Sequence, residues 1–525
     1  MRTVGDRPMK ILYLPLDERP CNYRYPQAIA SLQPRLHLVV PPMELLGRKK
    51  QPADGDRLWQ WIQQEAPHCQ IAILSLEMLV YGGLLPSRLH DSSVEELSDR
   101  LNRVCQLKTA HLNLDILASN LIMRTPSYNS SEEEPDYYAD WGELIFQWGW
   151  LEDKHNRTGL TDAEQQQWEQ TERDLNRECL EDYRSRRAKN LNINQQAIAL
   201  VKSGVISFLS IPQDDCAEYG FTAIDRQQIF RSITALRLQQ QVHVYPGADE
   251  VGCTLLARAY AQLAGVRRKL YPLLSSSQSQ QIVPLYEDRP FGESLKSHIA
   301  AAGASVALIP QAADCILAAN TAGRVVQESW QQSAKDLTYH SHRNLRWFAA
   351  QIQQLLAEGK PVAIADVAFA NGGETELVEL LDDTACWDSI LAYAAWNTSG
   401  NTLGTTIATA VLGLEAGDRQ AIAFNKIHHL LEDWAYQSIV RLDVGDRFLP
   451  AMGASAFNFK GKEQQIASET EARLQEVWQH TMRQSFQFWT IERLAIDFPW
   501  QRMFEIGLQL SIAASSGSNL CAGID

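Results

Sequence analysis

Two adjacent aspartates, Asp214 and Asp215, follow the apolar run VISFLSI at 205–211. Neighbouring carboxylates repel, so one of the pair is expected to hold its proton to higher pH. A carboxylic acid protonated near neutrality can donate to a leaving group, while its ionised neighbour orients or stabilises positive charge. That division of labour suits hydrolysis of a small polyhydroxylated, sugar-like substrate. Asp214 and Asp215 are therefore the expected catalytic residues. The competing reading is a solvated turn in which one aspartate caps the helix near 223–238.

Other polar residues recur at the same topological place, directly after an apolar run. Asp17, Glu18 and Arg19 follow the run at 10–16, and Glu77, Tyr81 and Arg88 follow 71–76. Asn120 and Arg124 follow 114–119, Asp249 and Glu250 follow 242–247, and Glu287 and Asp288 close the run at 282–287. Asp366 and Asn371 mark the end of 361–367, and Trp396, Asn397 and Asn401 mark the end of 390–396. These are the expected substrate-binding residues. Loops are polar in general, and acids or asparagines often cap the next helix. The repetition of one residue class at successive strand ends argues for a shared cavity. Arg19, Arg88, Arg124 and Arg289 could pair with the acids or bind a substrate carboxylate or phosphate.

Absent motifs narrow the chemistry. The chain has no HExxH, no Walker loop, no GxGxxG and no GxSxG. His340 and His342 sit in the charged stretch YHSHRN, and no dedicated zinc site is expected. A divalent cation held by several carboxylates is the one cofactor left open. Two alternatives stand beside the glycosidase-like reading. One is a metal-dependent hydrolase or amidase using the same acids. The other is a non-catalytic sugar- or metabolite-binding protein. Cys21 and Cys216 lie near the proposed site without an evident histidine and read as packing residues.

Positioning these residues requires strands that all run the same way. Short apolar runs alternate with amphipathic helical stretches, the pattern of parallel β-sheets with crossover helices. The α/β reading has two lobes. A Rossmann-like doubly wound sheet is favoured over a TIM-barrel-like first lobe, because a groove then forms naturally between lobes. The expected domains are 9–274, with a helical insertion at 128–200, then 282–414, then a mostly helical 415–525. The stretch SSSQSQQ at 275–281 is the expected linker, and the site is expected in the interdomain cleft.

Of the 525 residues, 45% are hydrophobic and 21% charged, as in ordinary globular proteins. The net charge of −15 argues against nucleic acid or an anionic membrane as partner, since both demand a basic footprint. The expected partner is a small, sugar-like molecule; the oligomeric state is left open. Nine scattered cysteines without a CxxC pair suit a reducing, cytoplasmic setting. The first eight residues read as an extension rather than a signal peptide.

The ordered series PLDERPCN, SLEMLVYGGLLPSR, SIPQDDCAEYGF, PGADEVG, LYEDRP, ADVAFANGG and AAWNTSGNTLGT resembles the bacterial family catalogued as domain of unknown function 4127. The resemblance runs from about Met9 to Trp500 and implies a shared site without naming a substrate. A local stretch, PVAIADVAFANGGE, resembles the C-terminal region of microcystinase-type metallopeptidases, but the zinc-ligating histidines of that group have no matching position. The Asp-Asp pair after a strand resembles that of retaining N-acetylhexosaminidases, which use the substrate's acetamido group as nucleophile.

Overall fold

Six apolar runs form the first sheet: β1 (Met9–Leu14), β2 (Leu36–Val39), β3 (Ile71–Ser75), β4 (Asp115–Ser119), β5 (Phe208–Gln213) and β6 (Val242–Pro246). The computed structural model describes residues 8–515; the start of the chain and Cys521 lie outside them. The strand order is β2-β1-β3-β4-β5-β6, and every pairing is parallel. The sheet is open, with β2 and β6 at its edges, and is not a barrel. Strand order reverses between β1 and β3, the position where open parallel sheets form a crevice beyond their carboxyl ends.

Register levels those ends. Ser75 pairs with Ser119 and Ser119 with Ser210, so β3, β4 and β5 present their following residues along one edge. The strands hold that edge through burial on both faces: Ile11, Leu12, Leu14, Ala72, Ile116 and Leu209 are wholly enclosed. Each buried leucine or isoleucine contributes about 1.5–3 kcal/mol. The insertion at 128–200 is helical, with helices Tyr138–Thr158, Asp162–Asp174 and Arg177–Lys202. Ser93 and Glu96 make the reciprocal capping box expected ahead of helix Val94–Ala110.

The chain divides into two compact units. The first comprises residues through Gln27, Pro34–Gly265 and Tyr286–Gly303; the second comprises Ala28–Gln33, Val266–Leu285 and the chain from Ala304. The second unit carries its own parallel sheet of β7 (Lys269–Leu274), β8 (Ser305–Val306), β9 (Cys315–Thr321), β10 (Val362–Val367) and β11 (Ala392–Ala394). Its order is β11-β10-β9-β7-β8. Numbered from its own first strand, that is the order 2-1-3-4-5 that also begins the first sheet. The two units thus share one doubly wound plan, a repeat not evident in the residues.

Two expectations need correction. The run IVPLYE at 282–287 is not a strand; β7 and β9 supply that part of the sheet. The serine-rich stretch is not a loose linker, because Ser275, Ser276 and Ser279 are buried and Ser276 Oγ donates to the His342 carbonyl at 2.6 Å. The C-terminal region is mostly helical, as expected, through Glu463–Thr481, and ends in an antiparallel hairpin of β12 (Trp489–Asp497) and β13 (Gly507–Ala514). Among the described residues no helix is long and apolar enough to cross a membrane.

Candidate functional site

The carboxyl edge of the first sheet holds a buried lattice of acids and arginines. After β1, Asp17 accepts from its neighbour Arg19 through Nε at 2.9 Å and Nη2 at 2.7 Å, and from Asn22 Nδ2 at 2.9 Å. The same guanidinium reaches Asp249 after β6, with Nη1 at 3.2 Å from Oδ2 and Nη2 paired to Oδ1. Glu18 accepts from the Lys49 amide at 2.7 Å. Burial raises the Asp249 pKa to about 6; Arg19 opposes the rise, and the charges of Asp17 and Asp214 add to it. Those interactions bring the ends of β1, β5 and β6 into one electrostatic neighbourhood.

Asp214 and Asp215, after β5, each face their own arginine. Arg88 Nη2 pairs with Asp214, and Arg124 Nη1 donates to Asp215 at 3.1 Å. Both arginines also grip Glu133 and Glu134: Arg88 Nη1 lies 3.1 and 3.2 Å from them, and Arg124 lies 2.8 and 2.9 Å away. Asp215 occupies a left-handed backbone position at φ 30°, uncommon outside glycine. Burial raises its pKa to about 6, against the pull of Arg124 and with the push of Asp214. Its side chain is 31% exposed, against 13% for Asp214. Neither aspartate caps the following helix, Phe221–Leu236, whose N-cap is Gly220.

After β3, Glu77–Tyr81 forms a single π-helical turn closed by Gly82 at φ 90°. A Cβ on Gly82 would sit 2.8 Å from the Ala53 backbone nitrogen, so the turn needs glycine there. Glu77 Oε1 accepts from Asn120 Nδ2 and the Leu121 amide, both at 2.7 Å. Burial lifts its pKa to about 7 despite these bonds. Glu77, Tyr81, Ser87, Arg88, Asn120 and Asp214 share the lining of a small cavity with room for about one water molecule.

Glu250 and Glu287 flank His298 rather than the aspartate pair. His298 Nε2 lies 3.4 Å from Glu250 Oε1, and Ser294 Oγ donates to Glu287 at 2.9 Å. Burial disfavours charge on His298, but hydrogen bonding and charge from Glu250 outweigh it and raise its pKa. Asp288 is held by Arg289 at 2.7 Å, by Gln213 at 2.9 Å and by Arg226. Glu287 and Asp288 lie in the loop before helix Phe291–Ala301 and follow no strand.

The remaining residues of the expected site lie in the second unit. Asp366, on β10, accepts from Asn320 at 2.8 Å, the Glu374 amide at 2.7 Å and the Tyr393 hydroxyl at 3.3 Å. Arg343 Nη1 donates to Glu374 at 2.6 Å and to Asn320 at 3.0 Å. Burial, then the charge of Glu374, raises the Asp366 pKa to about 7. Asn371 and Asn397 take left-handed φ values of 58° and 62°, and the Asn371 amide donates to the Asn397 carbonyl at 2.9 Å. Trp396 is buried edge-on against Phe504, and Asn401 lies in the first turn of helix Ser399–Gly413. Asp366, Asn320 and Glu374 are fully enclosed, so this cluster joins elements and presents no open carboxylate.

Several participants escaped the sequence reading. Glu133 and Glu134 sit in the acidic opening of the insertion at 128–200, which reads as helices outside the sheet and follows no strand directly. Their signal was the pair of arginines, Arg88 and Arg124, with more acid-binding capacity than the two aspartates fill. His298 lies in the last turn of helix Phe291–Ala301 without any local signal. Arg343 and Glu374 become partners only through the fold. Among the described residues no group of three or more His, Cys, Asp or Glu is arranged to hold a metal ion. Asp17, Asp249, Asp214, Asp215, Glu133 and Glu134 face guanidinium groups instead of converging on one point.

The fold and this edge define a doubly wound parallel α/β protein with a buried carboxylate–guanidinium cluster at its strand ends. The chain belongs to the family described as protein of unknown function DUF4127, whose model matches residues 11–509. No curated protein matches it.

Proposed function

We propose that the chain is a hydrolase of a small polyhydroxylated substrate, using glycosidase-like carboxylate chemistry at the carboxyl edge of the first sheet. Asp215 is the proton donor. Asp214, anchored by Arg88, orients the reacting group and stabilises positive charge that develops on it. One observation carries this reading: the two adjacent aspartates have different environments, Asp214 enclosed against Arg88 and Asp215 more exposed beside Arg124, with burial and the charge of Asp214 pushing the Asp215 pKa up to about 6. A group with that pKa can be protonated in the resting enzyme and still give up its proton readily. The free thiols of Cys69, Cys105, Cys179, Cys216, Cys315 and Cys386 support a reducing, cytoplasmic setting for this activity.

The test is a panel of aryl-glycosides with purified full-length protein and the variant Asp215→Asn. The expected result is turnover of at least one panel member, lost about 100-fold or more in the variant while its melting temperature holds. Thermal shift by a sugar with no turnover of any panel member makes the protein a binder and overturns the hydrolase reading.

A further inference from the structure

The cavity beside Asp214 contains polar atoms that the protein itself leaves unused. Tyr81 Oη, Arg88 Nε and Asn120 Oδ1 are buried without a hydrogen-bond partner. All three residues line the cavity, together with Glu77 and Asp214. Leaving such groups unsatisfied costs about 1–3 kcal/mol each, so an internal occupant with both donor and acceptor capacity is favoured. Water fits in size and chemistry, since a buried water makes about two to four hydrogen bonds. Tyr81 and Arg88 can donate to it, and Asn120 can accept from it.

Glu77 is placed to act on that water. Its Oε1 is committed to Asn120 Nδ2 and the Leu121 amide, whereas Oε2 has only a long 3.4 Å contact with Ser75 Oγ. Glu77 and Tyr81 are the first and last residues of the π-helical turn. Single π turns inside helical segments recur at functional sites.

We infer that Glu77, Tyr81, Arg88 and Asn120 build a water site and that Glu77 is the general base activating that water in the proposed hydrolysis. This rests on the reading of Asp215 as the acid. The water oxygen bonds to the anomeric carbon as the bond from that carbon to the leaving oxygen breaks. The Glu77 carboxylate takes a proton from the water, and Asp215 gives its proton to the leaving oxygen. Exchange with solvent restores both groups, and the anomeric configuration inverts. Glu77 must be ionised while Asp215 is protonated; with burial raising Glu77 to about 7 and Asp215 to about 6, that form is a minor one and the rate falls below about pH 6 and above about pH 7. The charged or titratable groups lining the same cavity are Tyr81, Arg88 and Asp214.

Two measurements separate this inference from the reading it rests on. A high-resolution crystal structure of the full chain should show one ordered water hydrogen-bonded to Glu77 and Tyr81, and Tyr81→Phe should expel it. A dry cavity, or one filled by a side chain, overturns the inference whatever the enzyme hydrolyses. On the best panel substrate, Glu77→Gln should lower kcat about 100-fold or more, change KM less than about threefold and remove the acid limb. Azide, which needs no base, should restore turnover and yield a glycosyl azide of inverted configuration. A variant that keeps wild-type kcat and its acid limb overturns the base assignment even where Asp215→Asn is inactive. Wild-type protein inert on the panel rejects the hydrolase reading and this base role together, while the crystal structure still decides the water site.

Discussion

Arg343 and Glu374 show how much a single buried pair can carry. Glu374 is fully enclosed and also accepts from Asn320 at 2.9 Å, while Lys335 stands 3.6 Å off. Removing one partner leaves a charge in a medium that solvates it poorly, at a cost of about 3–5 kcal/mol. Arg343→Met should therefore lower unfolding free energy by that amount in urea denaturation, and Arg343→Met/Glu374→Leu should recover part of it. An unchanged midpoint in the single variant contradicts the role. At this scale the sequence was informative about residue class and silent about partnership. Asp17, Asp214, Asp215 and Asp249 were legible because each follows an apolar run. Their different fates were not: Asp17 is locked by Arg19 within LDERP, whereas Asp249 reaches the same arginine across 230 positions.

The elements were legible where apolar runs were continuous. KILYLPL and IAILSL gave β1 and β3 because both faces of a parallel strand are buried. KLYPLL was missed because Lys269 and Pro272 interrupt it, and proline ordinarily argues against a strand in mid-sheet. CILAANT was missed because its alanines favour helix, and burial in the sheet overrode that preference. IVPLYE misled for the opposite reason: its residues suit a strand, but no partner strand lies beside it. The π-helical turn at Glu77–Tyr81 has no pattern of its own, and the glycine pair after it was the only sign. Gly82→Ala should cost more than about 2 kcal/mol, combining a left-handed backbone with close approach to Pro52 and Ala53. Urea denaturation reads this directly, and a loss below about 0.5 kcal/mol contradicts the tight packing of the turn.

At the scale of the molecule, two units of one strand order gather carboxylates whose pKa values are raised together. Glu77 and Asp366 sit at about 7, and Asp215 and Asp249 at about 6. A carboxyl with a raised folded pKa binds its proton more tightly in the native state than in the unfolded chain. Its contribution to stability is full below the unfolded value of about 4 and is lost as pH rises through 6–7. Unfolding free energy should thus fall between pH 5 and pH 8, by at least about 1 kcal/mol from the enclosed Glu77 and Asp366 alone. Asp366→Asn should flatten that slope. Stability that rises steadily with pH over this range contradicts the burial described.

The account turns on Asp215 as a proton donor, and the pH dependence of kcat/KM on the best panel substrate tests it most directly. Wild-type protein should lose activity as pH rises above about 7, where the form with Asp215 protonated and Glu77 ionised disappears. Asp215→Asn should lose that basic limb together with about 100-fold or more of the rate, and should keep its rate best on substrates whose leaving group needs no proton. A basic limb that survives in Asp215→Asn, at an undiminished rate, contradicts the mechanism.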